Sequence, residues 1–456
     1  MPIFCLLFLS FFNIIKNSYF KILYVLGGFM KLCAIICEYN PFHNGHAYHI
    51  KKSLEISGCD AAVCIMNGNY SQRGEPTIVD KVVRAKMAIA GGASAVLQIP
   101  TYFASTNAEV FALTAVKIAA SLNDVTHISF GSECGDIDSI RELASFLYYE
   151  PKFYSDKIKT NLKDGYSLGA SKTKALAECI QQGLVLFSKP KVVMDLLNHP
   201  NNILAVEYVR ALMKIKNDKI TPITVKRTNT NYDQSNDIDY ELKFSDASNL
   251  RSSMLKTKRI RTIKKYIPEH SFYEFENYLK ETNLPDYEFY GKLALYKLRT
   301  TSASELKLNY DVVEGVENKL ISSARESISY EQFIELCNSR RYSRFRIQRI
   351  VTACALNLRA EIVKKIYELD YLPYVKVIAC KNDRNIIASI NNSDKTIVVT
   401  RKADALKAHK NDLAKILMFA EDRAESLYQM LLNLNKFKQS KLADASDIFR
   451  KTIFID

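Results

Sequence analysis

Three histidines stand at three-residue steps in one short segment, Glu38-Tyr39-Asn40-Pro41-Phe42-His43-Asn44-Gly45-His46-Ala47-Tyr48-His49. An apolar, β-branched run, Leu32–Cys37, precedes it, and a helical pattern over 47–56 follows. Pro41 stops the strand, and Gly45 removes a side chain where backbone must approach a ligand. His46 then opens the helix, whose free N–H groups and positive dipole end favour a phosphate. His43 and His46 flank that gap and can donate hydrogen bonds to phosphoryl oxygens as charge builds in a transition state. His-x-Gly-His at a strand-to-helix turn therefore suits nucleotidyl transfer. Two other readings compete: a metal site formed by His43, His46 and His49 with Cys37 nearby, and a purely structural turn. No Cys or Ser stands in a nucleophile-with-base arrangement beside this turn, so no covalent enzyme intermediate is expected.

The elements that must position this turn follow from the hydrophobic pattern. From residue 30 to about 266, short β-branched runs alternate with helical stretches. Strands are expected at Leu32–Cys37, 61–66, Ala95–Ile99, 127–130 and 222–226, and helices at 78–90, Ala108–Ser121, 137–148 and 203–213. This alternation predicts an α/β fold, a Rossmann-like parallel sheet covered on both faces. Ligands of such sheets sit beyond the carboxyl ends of the strands. From 285 to 456 the pattern is mostly helical, with amphipathic stretches at 302–308, 313–328, 346–367 and 412–435. A short strand-like insert, 374–379 with 396–400, interrupts it. The chain thus divides into a nucleotide-binding domain over 30–266 and a helical, basic domain over 285–456. Residues 229–239 are polar and turn-rich and are expected to form a mobile loop. The stretch Gly169-Ala170-Ser171-Lys172-Thr173 imitates a phosphate-binding loop, but lacks Gly before Lys172 and follows no strand, so it reads as helix.

Composition narrows the class. Lys+Arg 63 against Asp+Glu 49 gives a formal charge of +14 over 456 residues, which favours a polyanionic partner. Hydrophobic residues at 48% and charged residues at 25% exclude a mostly disordered chain. Residues 251–265 carry seven basic side chains and no acid. Residues 340–349 carry five arginines interleaved with Tyr342 and Phe345, a mixture suited to RNA phosphates and unstacked bases. Ten scattered cysteines with no C-x-x-C pair fit a reducing cytoplasm rather than a disulfide scaffold. Residues 1–29 are apolar, with only Lys16 and Lys21 charged. Those cations follow the apolar core, no small-residue cleavage site appears, and the run 2–15 is short for a span of about 20 residues. An unused upstream start or a dispensable extension is expected there, with a membrane tether as the other reading; no stable membrane partner is expected.

ICEYNPFHNGHAYH (36–49), MNGNYSQRGEP (66–76), VDKVVRAKMA (79–88) and SFGSE (129–133) resemble the tRNA(Met) cytidine acetate ligase family of the HxGH-type nucleotidyltransferase superfamily. The resemblance continues through HPNNILAVEYVRAL (199–212), TVKR (224–227), ASNLRSSML (247–255), RRYSRFRIQRI (340–350) and EDRAESLY (421–428), and so covers nearly the whole chain from Met30. One departure is Asn67, which stands where a small hydroxyl residue is expected.

The resemblance implies a two-step reaction. ATP and acetate give acetyl-adenylate and pyrophosphate, and the acetyl group passes to N4 of the wobble cytidine of elongator tRNA(Met), giving N4-acetylcytidine. It implies catalysis by His43 and His46. ATP contacts are implied along Ile36, Cys37, Glu38, Tyr39, Asn40, Pro41, Phe42, His43, Asn44, Gly45, His46, Ala47, Tyr48 and His49, and at Gly131, Asn202 and Arg227. At those last three, a bare strand end could admit adenosine, an amide could reach adenine or ribose, and a guanidinium could fork onto a phosphate. Ser248 would cap the next helix, with Arg251 facing the leaving pyrophosphate. Arg73, Lys81, Ser248, Arg251, Arg340 and Arg344 are the candidates for phosphate or tRNA contacts. Mg²⁺ is expected as the pyrophosphate counter-ion; no residue is assigned as a metal ligand. The alternative is a small-molecule adenylyltransferase of coenzyme biosynthesis using the same histidines, which would need no basic helical half of this size. A third reading, an RNA-binding module with a vestigial site, is opposed by the intact His43, Gly45 and His46.

Overall fold

Alternate residues of the first strands enter two different cores. Along β1 (Leu32–Cys37), Leu32, Ala34 and Ile36 join one apolar cluster while Cys33 and Ile35 join another; Val63 and Cys64 divide likewise in β2 (Ala61–Asn67). A strand that is apolar on both sides has to be covered on both sides, which is why these runs lack a polar phase. A computed structural model describes residues 30–227, 244–313, 315–432 and 450–456. The expectations for 1–29, 229–239 and the end of 412–435 lie outside the described residues.

Strands β1, β2, β3 (Ala95–Ile99), β4 (Val125–Ser132) and β5 (Thr221–Lys226) pair in parallel in the order β5-β4-β1-β2-β3. The chain moves outward from β1 to β3 and then crosses to β4 on the other side of β1. This places a topological switch point at the carboxyl ends of β1 and β4, where a ligand crevice is expected. On one face lie α1 (Asn44–Ser57) and α2 (Lys81–Ala90), joined by α6 (Ala247–Thr257). The other carries α3 (Ala108–Ser121), α4 (Ile137–Tyr149) and α5 (Pro200–Lys214). The second half is mostly helical and has its own core around Leu298, Leu320, Phe333 and Val351. It includes α7 (Arg344–Ala355) and α8 (Asp412–Leu431). Among the described residues no helix is long and apolar enough to cross a membrane.

Several local expectations are corrected. The strand-like insert does not stand apart: β6 (Tyr374–Lys381) pairs antiparallel with β3. β7 (Ile397–Val399) and β8 (Ile453–Ile455) pair in parallel with β6, making one eight-stranded sheet. The expected helix over 346–367 is two helices, because Asn357 takes a left-handed φ of 50° and Leu358 N donates back to Ala353 O at 2.8 Å, a helix stop of the Schellman type. The expected helix over 78–90 starts only at Lys81, since Asp80 caps it through a 2.7 Å bond from Val82 N and Ile78 N donates to Asn40 Oδ1 instead.

Candidate active site

The turn after β1 is held from beneath before it presents anything to a ligand. Tyr39 has a φ of 51°, the Asn40–Pro41 bond is cis, and the Tyr39 and Phe42 rings are buried edge to face, 4.8 Å apart. Phe42 lies so close to Gly91 that a Cβ there would fall 2.3 Å from its ring. Under the turn sits Arg84, fully buried on α2. Its guanidinium makes five hydrogen bonds: to Val79 O (2.9 Å), Glu38 O (2.5 Å), Asn67 Oδ1 (3.3 Å), Asn67 O (3.3 Å) and Gly68 O. All five acceptors are neutral. This buried cation ties the end of β1 to the end of β2, and sequence reasoning missed it. The available signal was the pair of cations Lys81 and Arg84, three residues apart on the buried face of VDKVVRAKMA.

His43, not His46, begins α1. It is the N-cap, its ring Nδ1 accepting from Gly45 N at 3.1 Å, and His46 sits at the third helical position with its Nδ1 accepting from His43 N at 3.3 Å. With both Nδ1 atoms taken as acceptors, each neutral ring carries its proton on Nε2 as a donor. The rings stack, centroids 3.6 Å apart and 24° from parallel. Gly45 leaves room for the His43 ring, since a Cβ there would lie 3.0 Å from His43 Cε1. Burial, then the positive charge of Arg227, pull His43 down to about 3. Burial, then the His43 and Arg227 charges, hold His46 well below the usual imidazole range. His49, pulled to about 4 by burial and Arg227, points its Nε2 to Ser129 Oγ at 3.1 Å on β4. The histidines do not converge as ligands, and Cys37 Sγ turns to Ile65 O at 3.7 Å, so the geometry disfavours the metal reading. It makes two neutral, parallel N–H donors at a helix N-terminus.

Arg227, Gly131 and Asn202 gather at the ends of β4 and β5. Arg227 N donates to Ser132 O at 2.8 Å, and its side chain lies over Gly131, where a Cβ would sit 3.3 Å from Arg227 Cγ. Gly131 thus makes room for the arginine arm. Asn202 lies inside the first turn of α5, and its Oδ1 accepts from Glu133 N (2.8 Å) and Cys134 N (3.2 Å). Its amide Nδ2 is buried without a hydrogen-bond partner, a donor left for a ligand.

Motifs distant in sequence meet around Arg73. Its Nη1 donates to Ser248 Oγ at 3.3 Å, and Arg251 Nη2 donates to the same oxygen at 3.1 Å, while Arg251 Nη1 reaches Asn40 O at 2.8 Å. Ser248 is therefore not the cap of α6; Asp246 is, accepting from Asn249 N at 2.8 Å. Arg73 Cζ also lies 5.0 Å from the Phe345 ring centroid on α7, and Gly74 O accepts from Thr352 Oγ1 at 2.8 Å. The loop 72–76 so joins the histidine turn to the helical half.

Other candidates are engaged elsewhere. Lys81 is buried and its ammonium lies 3.6 Å from Glu425 on α8. Arg344 forks onto Glu331 at 2.5 and 2.6 Å, and Arg340 Cζ stacks 3.6 Å over the Tyr166 ring. Residues 251–265 do approach the turn: Asn44 Nδ2 donates to Lys265 O at 3.2 Å, and a cavity of about 580 Å³ opens between Asn44, Arg261, Lys264 and Lys265.

The chain is similar to known proteins over most of its length. A family model described as HIGH Nucleotidyl Transferase matches residues 30–444. The tRNA(Met) cytidine acetate ligase of Clostridium perfringens strain ATCC 13124 is 35% identical over 379 residues, 82% of this chain and 91% of that protein. The protein of the same name from Clostridium botulinum strain Hall is 31% identical over 438 residues, 93% of this chain and 100% of that one. The crystal structure of Thermotoga maritima TmcAL bound with alpha-thio ATP superposes with a TM-score of 0.81 at 27% identity, covering 93% of this chain and 100% of that one. The chain belongs to the HIGH nucleotidyltransferase family and, within it, to the tRNA(Met) cytidine acetate ligases.

Proposed function

We propose that this chain is an ATP-dependent ligase that activates acetate as acetyl-adenylate and transfers the acetyl group to N4 of the wobble cytidine of elongator tRNA(Met). The observation that carries this reading is the pair His43 and His46: stacked, neutral, with both Nδ1 atoms bonded to backbone and both Nε2–H donors left for phosphoryl oxygens. An acetate oxygen attacks the α-phosphorus, the bond to pyrophosphate breaks, and the histidine donors and the Arg227 charge stabilise the oxygens on which charge grows. Arg251, which donates to Asn40 O and shares the Ser248 hydroxyl with Arg73, receives the pyrophosphate end together with them. The Asn202 amide and the strand end at Gly131 hold the adenosine. N4 of the cytidine then attacks the acetyl carbonyl, AMP leaves, and the N4 proton is lost. The basic residues of 251–265 beside Asn44, and the helical domain 285–456, carry the tRNA. Among the described residues no group of three His, Cys, Asp or Glu is placed to hold a metal ion. The described residues therefore offer no cage for Mg²⁺, and no step is assigned to it; the ion would come with the nucleotide. Free cysteines throughout the described residues fit the cytoplasm, which we assign as the compartment.

The test is exchange of pyrophosphate into ATP, with and without acetate and with and without elongator tRNA(Met). Exchange that requires acetate, followed by acetylcytidine in the tRNA, is the expected result. Exchange indifferent to acetate but responsive to a nucleotide or phosphopantetheine acceptor would move the chain to coenzyme synthesis. None at all from folded protein would leave only RNA binding.

A further inference from the structure

Three arginines of the run 340–349 are held by neighbours. Arg340 lies over the Tyr166 ring, Arg344 forks onto Glu331, and Arg346 forks onto Asp311, Nε to Oδ2 at 3.1 Å and Nη2 to Oδ1 at 2.9 Å. Arg349 differs. Its Nε is sealed from solvent without a hydrogen-bond partner, and among the described residues no carboxylate pairs with it. The carboxylate whose charge reaches it is Asp311, and both Asp311 oxygens are already taken by Arg346. Two guanidinium groups one turn apart on α7 thus face a single negative charge. Burial pulls Arg349 below its usual value; Asp311 and Tyr310 oppose this and the Arg346 charge adds to it. An arginine stays protonated even so. A dry, unmatched cationic N–H is costly unless something from outside completes it.

The place of this cation in the fold says what completes it. Gly74 packs so closely on the backbone of α7 that a Cβ there would lie 2.4 Å from Arg349 N, and Thr352 Oγ1 donates to Gly74 O at 2.8 Å. The same loop carries Arg73, whose Cζ lies 5.0 Å from the Phe345 ring centroid. Phe345 precedes Arg349 by one turn, about 6 Å along the helix and on the same face, and its ring is exposed. An exposed ring beside an unmatched guanidinium suits RNA, whose bases stack and whose phosphates pair with arginine. We propose that Arg349 holds a backbone phosphate of the tRNA and so positions the RNA beside the loop that reaches the histidine turn. This deepens the ligase reading and rests on it for the identity of the RNA. A phosphodiester brings the missing negative charge and acceptor oxygens for the fork. The phosphates of ATP are the other source of that chemistry, and Arg73 and Arg251, which converge on Ser248, serve those instead.

The experiment is filter binding of elongator tRNA(Met) to the full-length protein at stepped salt, for the parent, Arg349→Met and Arg349→Lys. Arg349→Met should weaken binding roughly tenfold and reduce the slope of log Kd against log salt by about 1. An unrelated tRNA should lose the same factor, because a phosphate contact carries no sequence. Arg349→Lys should keep the slope and recover only part of the affinity. Pyrophosphate exchange without tRNA should keep the parent KM for ATP. The urea midpoint of Arg349→Met should not fall, since an unmatched cation is removed; a fall would make the arginine structural and overturn the proposal. Unchanged Kd and slope would overturn it, as would a raised KM for ATP with RNA binding intact, which assigns the cation to the nucleotide. A loss confined to elongator tRNA(Met) would also overturn it, by making the contact one with a base. A parent that makes no acetylcytidine, while the change in slope persists, would refute the ligase reading and leave the phosphate contact standing.

Discussion

Replacing Arg84 by Met is expected to cost about 3 kcal/mol of stability and to weaken the use of ATP in the same variant. The thioether chain refills most of the volume but supplies no donor. Val79 O keeps a partner, since Thr77 Oγ1 donates to it at 2.9 Å. Four oxygens, Glu38 O, Asn67 O, Asn67 Oδ1 and Gly68 O, lose their guanidinium bonds around a fully buried position. A buried oxygen left unsatisfied costs about 1–3 kcal/mol, so the four sum to roughly 4–12 kcal/mol. Relief from burying a cation with no carboxylate partner offsets several kcal/mol, leaving about 3. Urea denaturation followed by circular dichroism measures the first part, and pyrophosphate exchange at varied ATP measures the second. Glu38 O and Gly68 O fix the strand ends on either side of the ATP turn, so KM for ATP should rise several-fold, with Arg84→Lys recovering part of it. An unchanged urea midpoint in Arg84→Met would show that these bonds do not hold the turn.

His46→Ala should lower kcat for pyrophosphate exchange by about 10²–10³-fold, the loss of one oxyanion donor, or about 2.7–4 kcal/mol of barrier; unchanged turnover would remove His46 from the mechanism. Acid should destabilise the fold through the histidines. Their folded values lie below the unfolded value of about 6.5, so the unfolded chain binds more protons and stability falls as pH drops from about 6.5 towards 4. The urea midpoint measured across that window should slope for the parent and slope less in His43→Asn, where His46 and His49 remain, and a flat parent profile would contradict neutral histidines. Gly74→Ala should cost about 3 kcal/mol or more and loosen the loop from α7, because φ there is +81° and the new Cβ would lie 2.4 Å from Arg349 N; a thermal scan reads this directly. Arg344→Ala should shift stability by no more than about 1 kcal/mol and leave tRNA affinity nearly unchanged, since its fork is occupied by Glu331; a large loss in a filter-binding titration would refute that.

The sheet and its site were legible in proportion to how local their signals are. Short apolar runs alternating with helical stretches mark the strands of such a sheet, so β1 to β5 emerged with nearly the right bounds, although the edge strand β5 buries only Val225. Pro41, Gly45 and the paired histidines marked the turn. What was not legible depends on partners far along the chain. Nothing near residue 374 says that β6 will add to β3 in the reverse direction, since that choice is made by 97 against 377. Ser248 looks like a cap, yet Asp246 takes that place and frees the hydroxyl for two arginines. The arginines of 340–349 read as an RNA surface, but Glu331 and Asp311, both outside that run, claim two of them.

The separation between charge and direction at this site follows from the same packing. A cationic histidine would be attracted to a triphosphate in the ground state as well as in the transition state, which tightens binding without speeding the step. Here burial and Arg227 keep both rings neutral, and the ring stack would make a second positive charge costlier still. In the reaction we propose, the fixed cations Arg227, Arg251 and Arg73 supply the field, while the histidines supply two aimed N–H groups whose worth rises only as charge moves onto the phosphoryl oxygens. That division predicts a rate that does not titrate with an imidazole between pH 6 and 8, in contrast to an imidazolium mechanism, whose rate would fall through the same window.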